Sequence, residues 1–227
     1  MLLGIIYVAF ISLGLPDALL GAAWPSIQGE LGVPVSYAGI ISIIISGGTI
    51  ISSLLSDTLT KKLGTGRVTA VSVAVTAGAL WGFSVSDSFW MLCVIALPYG
   101  LGAGAVDAAL NNYVALHYEA RHMSWLHCFW GIGASIGPYI MGACLVGGLP
   151  WTGGYRIISV LQMALTAVLF ATLYLWKGSR AEEEEQGERR SMGLLEVFGL
   201  SGAKEAMISF FCYCGLEQTT GLWAASY

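Results

Sequence analysis

The sequence predicts an all-α integral membrane protein, and three observations support that prediction. Of the 227 residues, 56% are hydrophobic and only 11% are charged, with a mean hydropathy of +0.73, whereas roughly a quarter of the residues in soluble domains are charged. Seven mostly apolar runs are each long enough to cross about 30 Å of hydrocarbon as a helix. These runs are continuous and rich in Gly and Ala, which favours membrane helices over the short alternating strands of a barrel.

The apolar runs give the predicted spans in chain order: residues 2–23, 36–55, 67–86, 89–114, 124–148, 155–176 and 206–224. The first run has no basic segment before it and is interrupted by Pro16 and Asp17, so we predict a span there rather than a signal peptide. The five cysteines all lie within hydrophobic runs and lack the paired spacing of a zinc site. We therefore expect them to be packing residues, and we expect neither a metal nor another cofactor.

The basic residues predict how the spans are oriented. Nine of the ten Lys and Arg residues lie in or beside the second, fourth and sixth connections, and only Arg156 lies on the other side. Because basic residues accumulate in cytoplasmic loops, we predict a multi-pass protein of the cell (inner or plasma) membrane with its N-terminus and even-numbered connections in the cytoplasm. Four tryptophans at span ends are predicted to be interfacial anchors: Trp81, Trp90, Trp151 and Trp176.

Residues 177–205 form the only long polar stretch of the chain. The stretch is mixed in charge, with an acidic run at residues 182–185, and a single span follows it. This composition predicts a cytoplasmic linker, for which a solvated tether is the favoured role and a docking segment the alternative.

Spans one and four share a short motif that indicates an internal repeat. Gly14-x-x-Asp17-Ala18-x-Leu20 and residues 104–110 both fit G-x-x-D-A-x-L. Many transporters are built from three-helix repeats of inverted topology, in which spans one and four are equivalent. We predict such a three-plus-three repeat, with chance recurrence in Gly/Ala-rich helices as the alternative.

Three acids lie inside predicted spans and are candidates for proton coupling: Asp17, Asp107 and Glu217. An Asp at the centre of a membrane helix costs about 2.5–3.5 kcal/mol on insertion scales, so several apolar residues are needed to offset each one. Such acids usually face a bundle interior or a water-filled cavity and mark proton relays or substrate pathways. The alternative is that they only cap or hydrogen-bond neighbouring helices.

Polar and aromatic residues near Asp107 are candidates for solute binding. Asn111 lies four residues after Asp107, on the same helix face, and Asn112 adds a second amide that can bond a hydroxylated solute. His127, early in the next span, either shares protons in that cavity or lies at the interface. Trp130 either stacks on a sugar ring or packs.

The connection between spans two and three, "SDTLTKKLGTGRVTAVSV", resembles the basic loop signature G-x-L-x-D-R-x-G-R-R of the major facilitator superfamily. Asp57 stands at the first Gly position of that signature and Lys61 at its Asp position, so the charge relay attributed to that Asp does not carry over directly. The resemblance implies a gating loop with five candidate residues: Asp57, Lys61, Lys62, Gly64 and Arg67.

Residues 1 to about 225 resemble the fucose permease-like branch of sugar:proton symporters in that superfamily. Asp17 and the stretch 107–111 match its substrate-binding and proton-coupling acids. "LHCFWGIGASIGP" is similar to its L-x-x-F-x-G-x-G-A-x-x-G-P pattern, and "GLEQTTGLWAASY" to its seventh-span pattern. The resemblance implies two six-helix domains with solute bound between them. Residues 1–176 would then be the N-terminal domain, 177–205 the linker, and 206–227 the first helix of an incomplete C-terminal domain.

These observations predict a secondary transporter, not an enzyme, that takes up a sugar or similar small polar solute with protons by alternating access. The expected partners are the solute, protons, the lipid bilayer and a complementary C-terminal half, with no nucleic acid. A drug or metabolite efflux antiporter is one alternative, because Gly133-x-x-x-Gly137-Pro138 followed by Gly142 resembles an antiporter signature. An inactive or split-transporter fragment is another. An intramembrane aspartyl protease is disfavoured, because "GAVD" lacks the G-x-G-D pattern of such enzymes.

Overall fold

A computed structural model describes residues 1–176, 196 and 198–226 and confirms the all-α prediction. No strand occurs in these ranges. The helices are α1 (Leu2–Gly14), α2 (Leu19–Leu31), α3 (Tyr37–Leu63), α4 (Thr65–Ser84), α5 (Phe89–His117), α6 (Ala120–Val146), α7 (Trp151–Ala171) and α8 (Ala203–Trp223), with a 3₁₀ turn at Leu173–Trp176. Most of the predicted linker, including its acidic run at residues 182–185, lies outside the described residues.

Six helical segments of the described chain are long and apolar enough to cross a membrane. The first of these, Leu2–Leu31, contains both α1 and α2, and each of the others is one helix from α3 to α7. The predicted seventh span is also helical, as α8, but it is not among the six. The polar run Glu-Gln-Thr-Thr at residues 217–220 lowers its hydropathy, so composition alone does not identify α8 as a span.

Helix packing supports the predicted inverted repeat. Span four (α5) packs along span two (α3) and span three (α4), while span one packs mainly along span five (α6), so spans one and four each cross the second span of the other half. The motif glycines lie at these crossings: a Cβ at Gly14 would overlap the backbone oxygen of Trp130, and a Cβ at Gly104 would overlap that of Thr49. Residues 11–20 and 101–110 are also alike in being buried, half-buried or exposed at nine of ten positions. The shared motif therefore marks equivalent positions in the two repeats.

Two of the four predicted tryptophan anchors are buried, so that prediction is wrong for Trp151 and Trp176. The indole Nε1 of Trp151 donates to Glu30 Oε2 over 2.7 Å, which attaches the start of α7 to the end of α2. Trp176 packs on the ring of Tyr113, with centroids 5.1 Å apart. Both lie at span ends but face neighbouring helices. Trp81 and Trp90 are exposed, as an interfacial position requires.

The predicted gating loop is mostly helical. Because α3 continues to Leu63 and α4 begins at Thr65, only Gly64 lies between them, with a φ of 81° that favours glycine. Asp57, Lys61 and Lys62 therefore lie in the last turns of α3 and Arg67 in the first turn of α4. Lys61 and Asp57 form an exposed ion pair of 2.7 Å along the helix surface. The predicted placement of these residues in a loop is corrected, and their proposed gating role stays a prediction.

Candidate functional site

Asp17 lies at a break in the middle of span one. Pro16 has no N–H to continue the helix, and the chain makes tight turns there, with the Asp17 N–H donating to the Gly14 oxygen over 3.1 Å. The Leu19 N–H donates in the same way to the Pro16 oxygen over 3.1 Å, and α2 begins at that residue. The Asp17 side chain is exposed at this break. An acid is thereby presented from irregular backbone in the middle of an apolar helical segment.

Asp107 lies on a continuous helix, α5, and is joined to Asn111 as the helical spacing predicts. The Asn111 Nδ2 donates to Asp107 Oδ1 over 3.0 Å and also to the Asp107 backbone oxygen over 3.0 Å. Both side chains are half-buried. Carboxylate and amide are therefore held side by side, where they can bond neighbouring hydroxyl groups of one solute.

Asp17 and His127 lie near this pair, and Glu217 lies near Asp17. Asp17 is close enough to Asp107 and Glu217 to interact with both electrostatically, and His127 interacts in the same way with Asp107. The His127 ring is edge-on to Phe10, with centroids 6.3 Å apart. The structure thus brings together acidic groups from span one, α5 and α8 with a histidine from α6.

Glu217 is held by its own helix, since Tyr213 OH donates to Glu217 Oε1 over 3.2 Å. Helix α8 contacts the bundle at α2, where a Cβ on Gly21 would overlap the backbone oxygen of Gly221. In α8, Leu222 and Trp223 pack against the buried cluster that contains Trp24. Glu217 therefore lies one turn from the point at which α8 meets span one.

The two remaining predicted binding residues, Asn112 and Trp130, differ in their surroundings. Asn112 is exposed, one position further around α5 than Asn111. Trp130 is half-buried and packs against the cluster that includes Phe10, and its backbone contacts Gly14. These contacts agree with the packing role left open for Trp130, while its proposed stacking on a sugar stays a prediction.

Sequence reasoning missed a buried polar bridge behind the site. Gln162 on α7 donates from Nε2 to the Ser12 backbone oxygen over 2.7 Å and accepts from Thr76 Oγ1 over 3.0 Å. Ser159, one turn earlier, donates to the Ala77 oxygen of α4 over 2.8 Å. An amide inside an apolar span was the available signal, because such groups require partners in the membrane. Its partners were not predictable from spacing.

The arrangement suits the handling of protons and hydroxyl groups. Carboxylates bind and release protons, and the amide adds donors and an acceptor for a polar solute. Within residues 1–176, 196 and 198–226, no group of three or more His, Cys, Asp or Glu side chains is placed to hold a metal ion.

Comparison with known proteins identifies similar chains. A family model described as "Major Facilitator Superfamily" matches residues 6–227. An uncharacterized MFS-type transporter of Mycobacterium tuberculosis is 30% identical over 64% of this chain. The cis,cis-muconate transport protein of Acinetobacter baylyi is 24% identical over 80% of it, and bypass of stop codon protein 6 of Saccharomyces cerevisiae is 24% identical over 97%. The chain covers 22%, 45% and 49% of these relatives, so it spans half of their length or less.

Proposed function

The chain belongs to the Major Facilitator Superfamily, and from that membership we propose that it takes up a sugar or similar small polar solute together with protons. The observation that carries this proposal is the pairing of Asp107 with Asn111 on one face of α5, near Asp17 and His127, with Glu217 in turn near Asp17. A proton-coupled carrier needs groups that load a proton from one side of the membrane and release it to the other. A hydroxylated solute needs donors and acceptors beside them.

Asp107, Asp17 and Glu217 act as the proton-handling groups in this proposal. Asn111, Asn112, His127 and Trp130 contact the solute. Alternating access then exposes the same site to each side in turn, driven by the proton gradient. Asp57, Lys61, Lys62, Gly64 and Arg67 are proposed to take part in gating at the junction of α3 and α4. Following the predicted orientation, this junction faces the cytoplasm.

A complementary set of helices is part of the proposal. The relatives are at least twice as long as the segment they share with this chain, and transporters of this kind bind solute between two halves. The acids of span one and α5 line one wall of such a site. We propose that residues 1–176 form the first half, that α8 begins the second, and that the second half completes the site.

Efflux by antiport is the rival direction of transport. The Gly133 and Gly137 pattern that resembles an antiporter signature has a packing role in this structure, because a Cβ at either position would overlap a backbone oxygen of span one, at Ile11 and Leu15 respectively. Small residues at such crossings let membrane helices approach closely. The motif therefore does not by itself favour efflux.

A gradient experiment tests the proposal. The protein, expressed from its complete gene, is reconstituted in liposomes with an acidic exterior, and the uptake of labelled L-fucose, D-galactose and D-xylose is measured. Symport predicts accumulation that a protonophore abolishes. Loss of a preloaded sugar under the same gradient would instead indicate antiport. Equal uptake with and without the gradient would contradict proton coupling.

Replacing Asn111 should weaken solute binding more than it weakens coupling. We expect Asn111→Ala to raise the half-saturating concentration of the transported sugar about tenfold, since losing one hydrogen bond of about 1.4 kcal/mol has that effect on affinity. Concentration-dependent uptake at a fixed gradient measures this change. Ser135→Ala is a control, because that exposed hydroxyl donates to the Gly131 oxygen of its own helix over 2.8 Å. An unchanged half-saturation in Asn111→Ala would remove Asn111 from the binding residues.

A further inference from the structure

The break in span one leaves the backbone oxygen of Ser12 without its helical donor. In a continuous helix this oxygen would accept from the N–H of residue 16, but residue 16 is proline. The neighbouring amides bond elsewhere: the Leu15 N–H donates to the Ile11 oxygen over 3.1 Å, and the Asp17 N–H to the Gly14 oxygen over 3.1 Å. Because Ser12 is buried, its oxygen needs a partner from another helix.

Gln162 supplies that partner. Its side chain is 1% exposed, and Nε2 donates to the Ser12 oxygen over 2.7 Å. Thr76 Oγ1 donates to Gln162 Oε1 over 3.0 Å from the opposite side. Since a carbonyl can only accept, the amide must turn its NH₂ toward Ser12, and the Thr76 hydroxyl fits the oxygen that remains. Helices α4 and α7 therefore fix the end of α1 through one amide.

The second repeat has no need of this bridge. The positions of the motif that correspond to Ser12 and Pro16 are Gly102 and Val106, and α5 runs without interruption from Phe89 to His117. The backbone around Asp107 is thus supported by its own helix. The backbone before Asp17 depends instead on a donor from span six.

We infer that Gln162 is a positioning residue, which acts through the Ser12 backbone oxygen to hold the broken end of span one and thereby places the Asp17 carboxyl in the transport pathway. The positioning of the end of α1 follows from the hydrogen bonds of Gln162 with Ser12 and Thr76. Its consequence for transport rests on the coupling role proposed for Asp17.

Carbodiimide labelling tests the placement without requiring a solute or transport. Dicyclohexylcarbodiimide modifies protonated membrane carboxyls, and peptide mass spectrometry measures the modification at Asp17 and Asp107 separately as a function of pH. For Gln162→Leu in the full chain, we expect the midpoint of labelling at Asp17 to move by about one pH unit, while that of Asp107 stays in place. Unchanged labelling at Asp17, or equal shifts at both acids, would overturn the inference.

A second substitution makes the test specific. Pro16→Ala restores an N–H that can bond the Ser12 oxygen, so the double variant Pro16→Ala/Gln162→Leu should regain the wild-type labelling of Asp17. If Gln162→Leu alone fails to fold, the double variant must fold, and its failure would also overturn the inference. Ser159→Ala is the matched control, since it removes another buried bond between α7 and α4 without touching Ser12.

Uptake measurements separate this inference from the proposed function. In one outcome, Gln162→Leu shifts the labelling of Asp17 and Pro16→Ala/Gln162→Leu restores it, while gradient-driven sugar uptake is unaffected in both variants. Gln162 then positions Asp17, but the coupling role of Asp17 is wrong. If labelling does not respond, the positioning role fails whatever the transport assay shows.

Discussion

Asp107→Asn is expected to abolish gradient-driven accumulation while leaving exchange of solute across the membrane intact. Asn has nearly the same shape and can still bond Asn111, which lies 3.0 Å from the Asp107 carboxylate, but it cannot load or release a proton. A pH difference of one unit is worth about 1.4 kcal/mol, which one coupled proton converts into about tenfold accumulation. We therefore expect about tenfold accumulation in the wild type and equilibration in the variant.

Two measurements on the same liposomes check this expectation. Uptake of labelled sugar with an acidic exterior reports accumulation, and counterflow without a gradient reports binding and exchange. Asp87→Asn is the matched control, because it makes the same chemical change at an exposed residue in the connection before α5. If Asp107→Asn retained wild-type accumulation, the coupling role would have to be assigned to Asp17 or Glu217 instead.

Hydropathy predicted the helical segments of the described chain because the membrane imposes the same length and apolarity on each span, but it did not predict the break that divides span one into α1 and α2. The ends were predicted less well. For example, α3 extends eight residues beyond the predicted end at residue 55, to Leu63. Lys61 and Lys62 lie in its last turn, where positive charge interacts favourably with the helix dipole. Polar residues end an apolar run, but they do not end a helix.

The site was predictable as far as local spacing and internal symmetry reach. The four-residue separation of Asp107 and Asn111 predicted a shared face, and the repeated motif predicted that Asp17 and Asp107 are equivalent. The bond from Gln162 to Ser12 joins residues 150 positions apart, and no periodicity identifies such a partner. The burial of Trp151 has a similar origin, because its partner Glu30 belongs to a different span. Contacts between helices depend on which faces pack together, and the periodicity within one helix does not identify the residue it meets on another.

Gly133→Ala adds only one methyl group, but we expect it to lower the stability of the folded protein markedly. A Cβ at this position would overlap the backbone oxygen of Ile11 and lie 3.1 Å from the Gly14 Cα. Both neighbours are backbone atoms, so α1 as a whole must move. Overpacking costs about 1–3 kcal/mol, and because both neighbours here are backbone we expect the upper part of that range, about 2–3 kcal/mol. The gain of about 1 kcal/mol in helix propensity when Ala replaces Gly leaves a net loss of about 1–2 kcal/mol. At 2–4 °C per kcal/mol for a chain of this size, we expect a melting temperature lower by about 2–8 °C.

Gly131→Ala separates this packing effect from the change in helix propensity. It lies two residues earlier on α6, and nothing is within 4 Å of an added Cβ there, so its melting temperature should be unchanged or slightly higher. Equal losses in the two variants would contradict close packing of α1 on α6. Gly133→Ala should also move the labelling midpoint of Asp17, because the displaced helix is the one that ends just before that acid. The same crossing of small residues would then stabilise the bundle and place one of its membrane acids.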